Sequence, residues 1–269
     1  MRKLLIKTLN QLNQDFYQQV SRDFSESRNF SWHGWQKALP FLPKKKPLAI
    51  LELACGNGRL VDFLRKELSG NFTYLGIDNS TALLKFAAEK FPQEKFQYVD
   101  IIADLLDKGD FLVNKKKFDV LFAFGLSHHL PTFELRKLWL ESMAKKLTTD
   151  GVIILSNWQF AREKERFQKN TVTWKKIREN EKISFGEKLK LLFLLVCLSK
   201  NDYLLDWRKG EKAFRHFRYC HDLEEKEMRE LVAAAHLQVK AQFFADGKSK
   251  ELNQYFILTQ TFKKPKKSL

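Results

Sequence analysis

The chain is predicted to fold as an α/β protein built on a doubly wound, mostly parallel sheet. Three observations carry that expectation. Strand-like and helix-like runs alternate along the chain from residue 48 onward. The strand-like runs are almost continuously apolar, as strands covered on both faces must be. The first of them, within Ala49-Ile-Leu-Glu-Leu-Ala-Cys-Gly-Asn-Gly-Arg-Leu60, runs into a glycine turn and then a helical pattern. That sequence of events opens a nucleotide-type crevice in a parallel sheet.

Residues 1–46 read as a helical appendage, because Leu4, Leu5, Leu9, Leu12, Phe16, Tyr17 and Val20 recur mostly three and four apart. A segment rich in Ser, Phe and Trp follows from Phe24 to Trp35, and Lys44-Lys45-Lys46-Pro47 closes it. The main domain is expected over 47–262. Its strands are placed at 50–53, 72–77, 96–99, 119–124 and 151–156, with helices over 59–68, 81–90 and 133–147. Residues 159–206 interrupt the rhythm as a basic, helical insert containing a leucine-rich run at 189–198. A helix over 224–235 and two late strands, 238–244 and 255–261, complete the sheet. Residues 263–269 are a basic tail, and no internal repeat is visible.

Composition narrows the class of function. The 269 residues are 44% hydrophobic and include 24 Phe, which excludes a disordered chain and suffices for a full core. Cys55, Cys197 and Cys220 are odd in number and lack a C-x-x-C pair. That argues for a reducing, cytoplasmic setting, without a disulfide frame or a metal site. No signal peptide is readable in 1–12, and the longest apolar run, 191–198, falls far short of the ~20 residues of a bilayer span. Forty-eight basic against 32 acidic residues leave a formal charge of +16. Such an excess favours nucleic acid first and anionic membrane surface second, unless the lysines merely cover solvated faces.

The candidate cofactor residues sit at successive strand ends. Gly56 and Gly58 form the turn, but Val61 stands where a dinucleotide fingerprint has its third glycine. Glu52 precedes the turn and would repel a pyrophosphate. It would accept a hydrogen bond from the cationic amino-acid end of S-adenosylmethionine. Asp78, twenty positions after Gly58, can take two ribose hydroxyls, with Asn79 or Ser80 left to cap the next helix. Asp100 can accept from the adenine amino group, and Asp104 is its rival.

By these motifs the chain resembles the class I S-adenosylmethionine-dependent methyltransferases. The resemblance implies a Rossmann-like seven-stranded sheet with an antiparallel last strand, and S-adenosyl-L-methionine as cofactor. Ala54 occupies the family's usual first glycine and is carried over as a cofactor contact together with Phe124, which ends strand four. In Phe124-Gly-Leu-Ser-His-His-Leu-Pro131 the paired His128 and His129 follow that strand, beside the expected methyl group, one of them packing and one facing the cleft.

A narrower resemblance covers most of the chain. Phe16-Tyr17, 24–28, Trp32, 55–58, 78–80, 128–130, Trp158, 202–207 and Arg218-Tyr219-Cys220-His221 are similar to motifs of the tRNA wobble-uridine carboxymethyl methyltransferases. Those enzymes esterify 5-carboxymethyluridine. Ser27 for Thr, Asp206 where Pro often stands, and Cys220 for an aromatic depart from the pattern. The resemblance implies tRNA as a partner, and relatives of this family use a small activator protein. It makes Arg28 and Arg218 candidate clamps for the acceptor carboxylate, joined by His128 and His129. Tyr17, Trp32 and Trp158 are either stacking platforms for a flipped base or core residues. The alternative function is a methyltransferase acting on a small molecule, such as a quinone precursor or another carboxylic acid.

Overall fold

The computed structural model describes residues 2–27, 30–112, 116–206 and 216–261. Apolar runs at the expected places form β1 (Leu48–Leu53), β2 (Phe72–Asp78), β3 (Lys95–Tyr98), β4 (Phe118–Phe124) and β5 (Leu147–Trp158). With β8 (Leu237–Ala245) and β9 (Asn253–Gln260) they make a seven-stranded sheet in the order β3-β2-β1-β4-β5-β9-β8. The first five strands pair in parallel, and β9 is antiparallel to both neighbours. The strand order reverses between β1 and β4, so a crevice opens beyond their carboxyl ends.

Strand alternation sends residues to two cores, one on each face of the sheet. From β1, Leu51 and Leu53 join one cluster with Trp139, Leu231 and Phe256, whereas Leu48 and Ile50 join another with Leu64, Trp35 and Tyr255. The covering helices are α3 (Arg59–Leu68), α4 (Thr81–Lys90), α5 (Ile101–Lys108), α6 (Phe133–Lys145) and α10 (Glu225–Ala234). Helix α5 is absent from the sequence reading; Asp100 caps it by accepting the Ala103 N–H at 3.0 Å.

The amino-terminal segment is helical, as α1 (Arg2–Glu26) and the short α2 (His33–Ala38). Within the insert α7 (Lys164–Asn170), α8 (Trp174–Glu179) and α9 (Phe185–Cys197) are helices. Its last residues depart from the helical expectation. They form β6 (Asp202–Asp206), antiparallel to β7 (Phe217–His221) in a separate two-stranded sheet. Helices α8 and α9, the hairpin and Leu9 of α1 share a satellite core around Ile177, Leu194, Leu204 and Tyr219. Among the described residues no helix is long and apolar enough to cross a membrane. Arg28, Trp207 and the tail at 263–269 lie outside the described residues.

Candidate active site

A cavity of about 550 Å³ lies at the crevice and receives residues from β1, β4, α1, α2 and β7. The volume falls in the range of sites for small ligands and cofactors. Its floor is the loop between β1 and α3. Ala54, Gly56 and Gly58 have φ of 54°, 56° and 72°, so the backbone turns through the left-handed region three times in five residues. Alanine there carries a strain on the order of 1 kcal/mol that glycine escapes, which explains the preference for glycine at the first position. A Cβ on Gly56 would meet nothing within 4 Å. One on Gly58 would crowd Phe91, Ala87 and Phe96 at 3.1–3.2 Å. Gly56 lines the cavity; Gly58 instead allows α3 to pack closely on α4 and β3.

Asp78 ends β2 with its carboxylate turned back over this loop. Its oxygens accept the Gly56 N–H at 2.9 Å and the Ser80 N–H at 2.8 Å. Burial raises its pKa, while the amides of Ser80, Gly56 and Asn79 work against the shift. Each oxygen has a second lone-pair direction for a ligand hydroxyl. The helix-capping duty falls to Ser80, whose hydroxyl accepts the Leu83 N–H at 3.3 Å. Asn79 also lines the cavity.

Glu52 is buried beside the same loop and accepts the Tyr74 hydroxyl. Burial pushes its carboxyl up to about 8, although the Tyr74 bond and the nearby Arg59 cation pull it down. Arg59, the first residue of α3, stacks its guanidinium 4.2 Å from the Trp32 ring and 5.2 Å from Trp35. Its Nη1 is buried with no hydrogen-bond partner among the described residues, and burial lowers its pKa to about 10. The cavity wall thus holds a buried carboxyl and a cation with unspent donor capacity. Asp246 fixes the two tryptophans indirectly. It accepts the Gly34 N–H at 3.0 Å, the Tyr255 hydroxyl at 2.6 Å and Asn253 Nδ2 at 2.9 Å, tying α2 to β9.

Asp100 stands elsewhere. It is not among the cavity-lining residues, and its carboxylate accepts Asn10 Nδ2 at 2.8 and 3.0 Å and Gln14 Nε2 at 2.6 Å. The acid read as an adenine contact is instead the anchor that pins α1 to the end of β3. Its rival Asp104 bonds Lys108 on the surface of α5. Leu83 and Ile102 supply apolar lining to the cavity.

Phe124, expected as a cofactor contact, and His128, His129, Trp158 and Arg218 all line the same cavity. His129 is the fastened histidine: Nε2 lies 2.8 Å from the Tyr17 hydroxyl and Nδ1 lies 2.9 Å from the Tyr219 carbonyl and 3.2 Å from Asn13 Nδ2. Asn13 also accepts the Tyr219 N–H at 2.7 Å, so one α1 side chain orients both β7 and the histidine. His128 packs with ring centroids 4.1 Å from His129 and 5.4 Å from Trp158. Arg218 is buried, its guanidinium 4.7 Å from the Trp158 ring and 5.1 Å from Phe16. His128, His129 and Cys220 bring potential metal-ligand atoms within 4.8 Å of one another. The two nitrogens of His129 already engage protein groups, however, and burial pushes the Cys220 thiol up to about 12, which disfavours a thiolate. Arg28 falls outside the described residues, so the structure describes one of the two expected arginine clamps.

Sequence reasoning missed Arg59, Asn13 and Asp246. Arg59 had a usable signal, since it opens α3 directly after the Gly56–Gly58 turn. Asn13 and Asp246 had none, because each ties together distant segments, Asn13 reaching Tyr219 across 206 residues and Asp246 reaching Gly34 across 212.

Residues 51–153 match the profile of a methyltransferase domain. The fold agrees with solved structures. A methyltransferase from Haloferax volcanii, determined in complex with the Trm112 activator, superposes with a TM-score of 0.60 at 14% identity, over 93% of this chain and 98% of that one. An S-adenosylmethionine-dependent methyltransferase from Clostridium acetobutylicum gives 0.55 at 14% identity, over 85% and 89%. Fold and matched segment together define a class I methyltransferase domain, the class whose methyl donor is S-adenosylmethionine. Among curated relatives, the putative methyltransferase 235L of Invertebrate iridescent virus 6 is 22% identical over 144 residues, 50% of this chain and 51% of that protein. The tRNA (carboxymethyluridine(34)-5-O)-methyltransferase of Arabidopsis thaliana is 24% identical over 148 residues, 55% of this chain and 32% of that protein. The chain therefore spans about half, or less, of the length of these relatives.

Proposed function

We propose that the protein is an S-adenosylmethionine-dependent methyltransferase that esterifies the carboxylate of a 5-carboxymethyl-type wobble uridine in tRNA, in the cytoplasm. The observation that carries this reading is Arg218, a buried guanidinium on the wall of the cavity that also holds Glu52, Asp78 and Arg59. The residues fit the methyl donor. Glu52 would accept a hydrogen bond from its ammonium, the unspent Nη1 of Arg59 would donate to its carboxylate, Asp78 would take the ribose hydroxyls, and Leu83 and Ile102 would provide apolar lining for the adenine. Ala54, Gly56, Asn79 and Phe124 complete the wall. When bound, the donor supplies an electrophilic methyl group on a sulfonium.

The protein's own part is orientation and desolvation. A carboxylate acceptor with a pKa of about 4 is ionised at neutral pH, so no strong general base is needed. A guanidinium can meet such a carboxylate with two parallel donors, and that of Arg218 is packed between the Trp158 and Phe16 rings. His129, locked by Tyr17, Asn13 and the Tyr219 carbonyl, lines the same cavity as a fixed wall, and His128 lines it beside Trp158. Arg28 is carried over as the second clamp. Exclusion of water strengthens each of these contacts in the transition state.

The rim supports an RNA acceptor. Arg166, Lys248 and His33 are exposed there, with Phe30 standing out as a stacking surface. A small activator protein belongs to the proposal, supported by the Trm112 complex of the archaeal structure. The second reading, a small-molecule carboxylic acid as acceptor, draws on the aromatic lining of Phe24, Trp32, Trp35, Phe124 and Trp158. Comparing modified nucleosides in tRNA from cells with and without the protein separates the two. Loss of the methyl ester with accumulation of its free carboxymethyl form is the expected result. An unchanged nucleoside profile rules out the tRNA acceptor.

A further inference from the structure

Helix α9 buries one apolar face and presents a second to solvent. Leu191 and Leu194 turn inward, where they join Ile177, Ile183, Leu204 and Tyr219 in the satellite core. On the outer face Phe185, Leu189, Phe193 and Val196 are 76%, 52%, 60% and 68% exposed. Steps of four, four and three residues place these side chains in one stripe, about 80° wide on the helix. The leucine-rich run that stands out in the sequence is thus divided. Part of it is core, and the outward stripe begins earlier, at Phe185.

Cations border the stripe. On the helix projection Lys190 lies past one edge and Lys188 past the other. Lys182, just before α9, and Lys175 and Arg178 on the adjoining α8 are exposed. Trp174, which opens α8, is a further large apolar side chain at the surface. Four side chains each more than half exposed form a ridge rather than a groove, and a ridge edged by lysines matches a plane that is apolar inside and negative outside. The formal charge of +16 on the whole chain adds long-range attraction to such a plane.

We propose that α9 docks the protein on an anionic lipid surface. Phe185, Leu189, Phe193 and Val196 enter the boundary between headgroups and acyl chains, while the exposed Lys182 and Lys190 pair with lipid phosphates; Lys188 donates to the Arg178 carbonyl at 3.0 Å and braces α9 on α8. The proposal is independent of the acceptor used at the active site, since none of these residues lines the cavity.

Co-sedimentation of the full chain with vesicles tests it, using phosphatidylcholine alone and phosphatidylcholine mixed with phosphatidylglycerol. Binding is expected to the anionic vesicles only and to weaken with salt. The double variant Phe185→Ser/Phe193→Ser is expected to lower the partition coefficient about ten-fold or more. Lys182→Glu/Lys190→Glu is expected to weaken binding while both variants keep their affinity for S-adenosylmethionine, which also reports that they fold. Leu189→Ser/Val196→Ser provides a second test of the same stripe. The proposal is overturned if the chain fails to sediment with anionic vesicles. It is equally overturned if the serine variants bind as well as the parent. A concentration-dependent dimer in analytical ultracentrifugation that the serine variants abolish would assign the ridge to a second copy instead.

Discussion

Glu52 and Asp78 are buried carboxyls on either side of one short loop, and burial raises both pKa values. For Glu52 the value of about 8 makes the free protein hold a proton at neutral pH that an unfolded chain has already released. Between the ordinary carboxyl range and pH 8 the unfolded state therefore binds fewer protons, and stability falls as pH rises, by at most about 1.4 kcal/mol per pH unit. A cationic donor favours the ionised form. Binding of S-adenosylmethionine at pH 7 is expected to release close to one proton, measured by calorimetry in buffers of different ionisation enthalpy. Glu52→Gln removes that release and flattens the pH dependence of stability; a release that persists in the variant would assign the proton elsewhere. Asp78→Asn and Arg218→Ala divide the two halves of the cavity. The first is expected to weaken donor binding by about ten- to a hundred-fold, the loss of a charged hydrogen-bond acceptor. The second is expected to leave donor affinity unchanged and lower turnover about a hundred-fold. Equal losses of donor affinity in both would contradict the division.

At the scale of elements, α1 and the β6–β7 hairpin build the acceptor side together. Asn13 joins them, and a buried charge network fastens the hairpin to the main domain. His221 lies 2.7 Å from Asp202 and 2.9 Å from Glu227, and Glu227 also receives Arg136 at 2.6 Å. Burial alone would lower the His221 pKa, but the two carboxylates outweigh it and the net shift is upward. A raised histidine stabilises the fold fully below its ordinary pKa and loses that contribution as pH rises through the shifted one. Thermal melts across neutral to alkaline pH are expected to fall more steeply for the parent than for His221→Gln; parallel curves would show that the network does not titrate. The same elements mark where the sequence became illegible. The strands of the main sheet, the glycine turn and Asp78 could be read because their signals are local: apolar runs, residue spacing and strand ends. The hairpin could not, since five-residue strands reveal themselves only through each other, and β6 looked like the end of a helical insert. Asp100 was misread for a related reason. A strand-end acid suits a ligand and a helix cap equally, and the choice was made by Asn10 and Gln14, some ninety residues away in the chain. Arg59 had a local signal in its place after the glycine turn, but its stacking on Trp32 and Trp35 joins segments more than twenty residues apart and was not legible.

At the scale of the whole molecule, two surfaces of this basic chain pair cations with different apolar side chains. Around the cavity, Arg166, Lys248 and Arg218 combine with aromatic rings, an arrangement suited to a nucleic-acid base with its phosphates. Around α9, lysines combine with an aliphatic and aromatic ridge. At the first surface, the proposed function has one cavity bind the methyl donor through Glu52, Arg59 and Asp78 and deliver the methyl group to a carboxylate held by Arg218. The direct measurement is transfer from labelled S-adenosylmethionine, by the purified protein with and without a Trm112-type activator, to tRNA carrying 5-carboxymethyluridine and to the same tRNA lacking it. The expected result is label released by mild base, as an ester must be, on the carboxymethylated tRNA alone. Label on both tRNAs, base-stable label, or transfer only to small carboxylic acids would contradict the account.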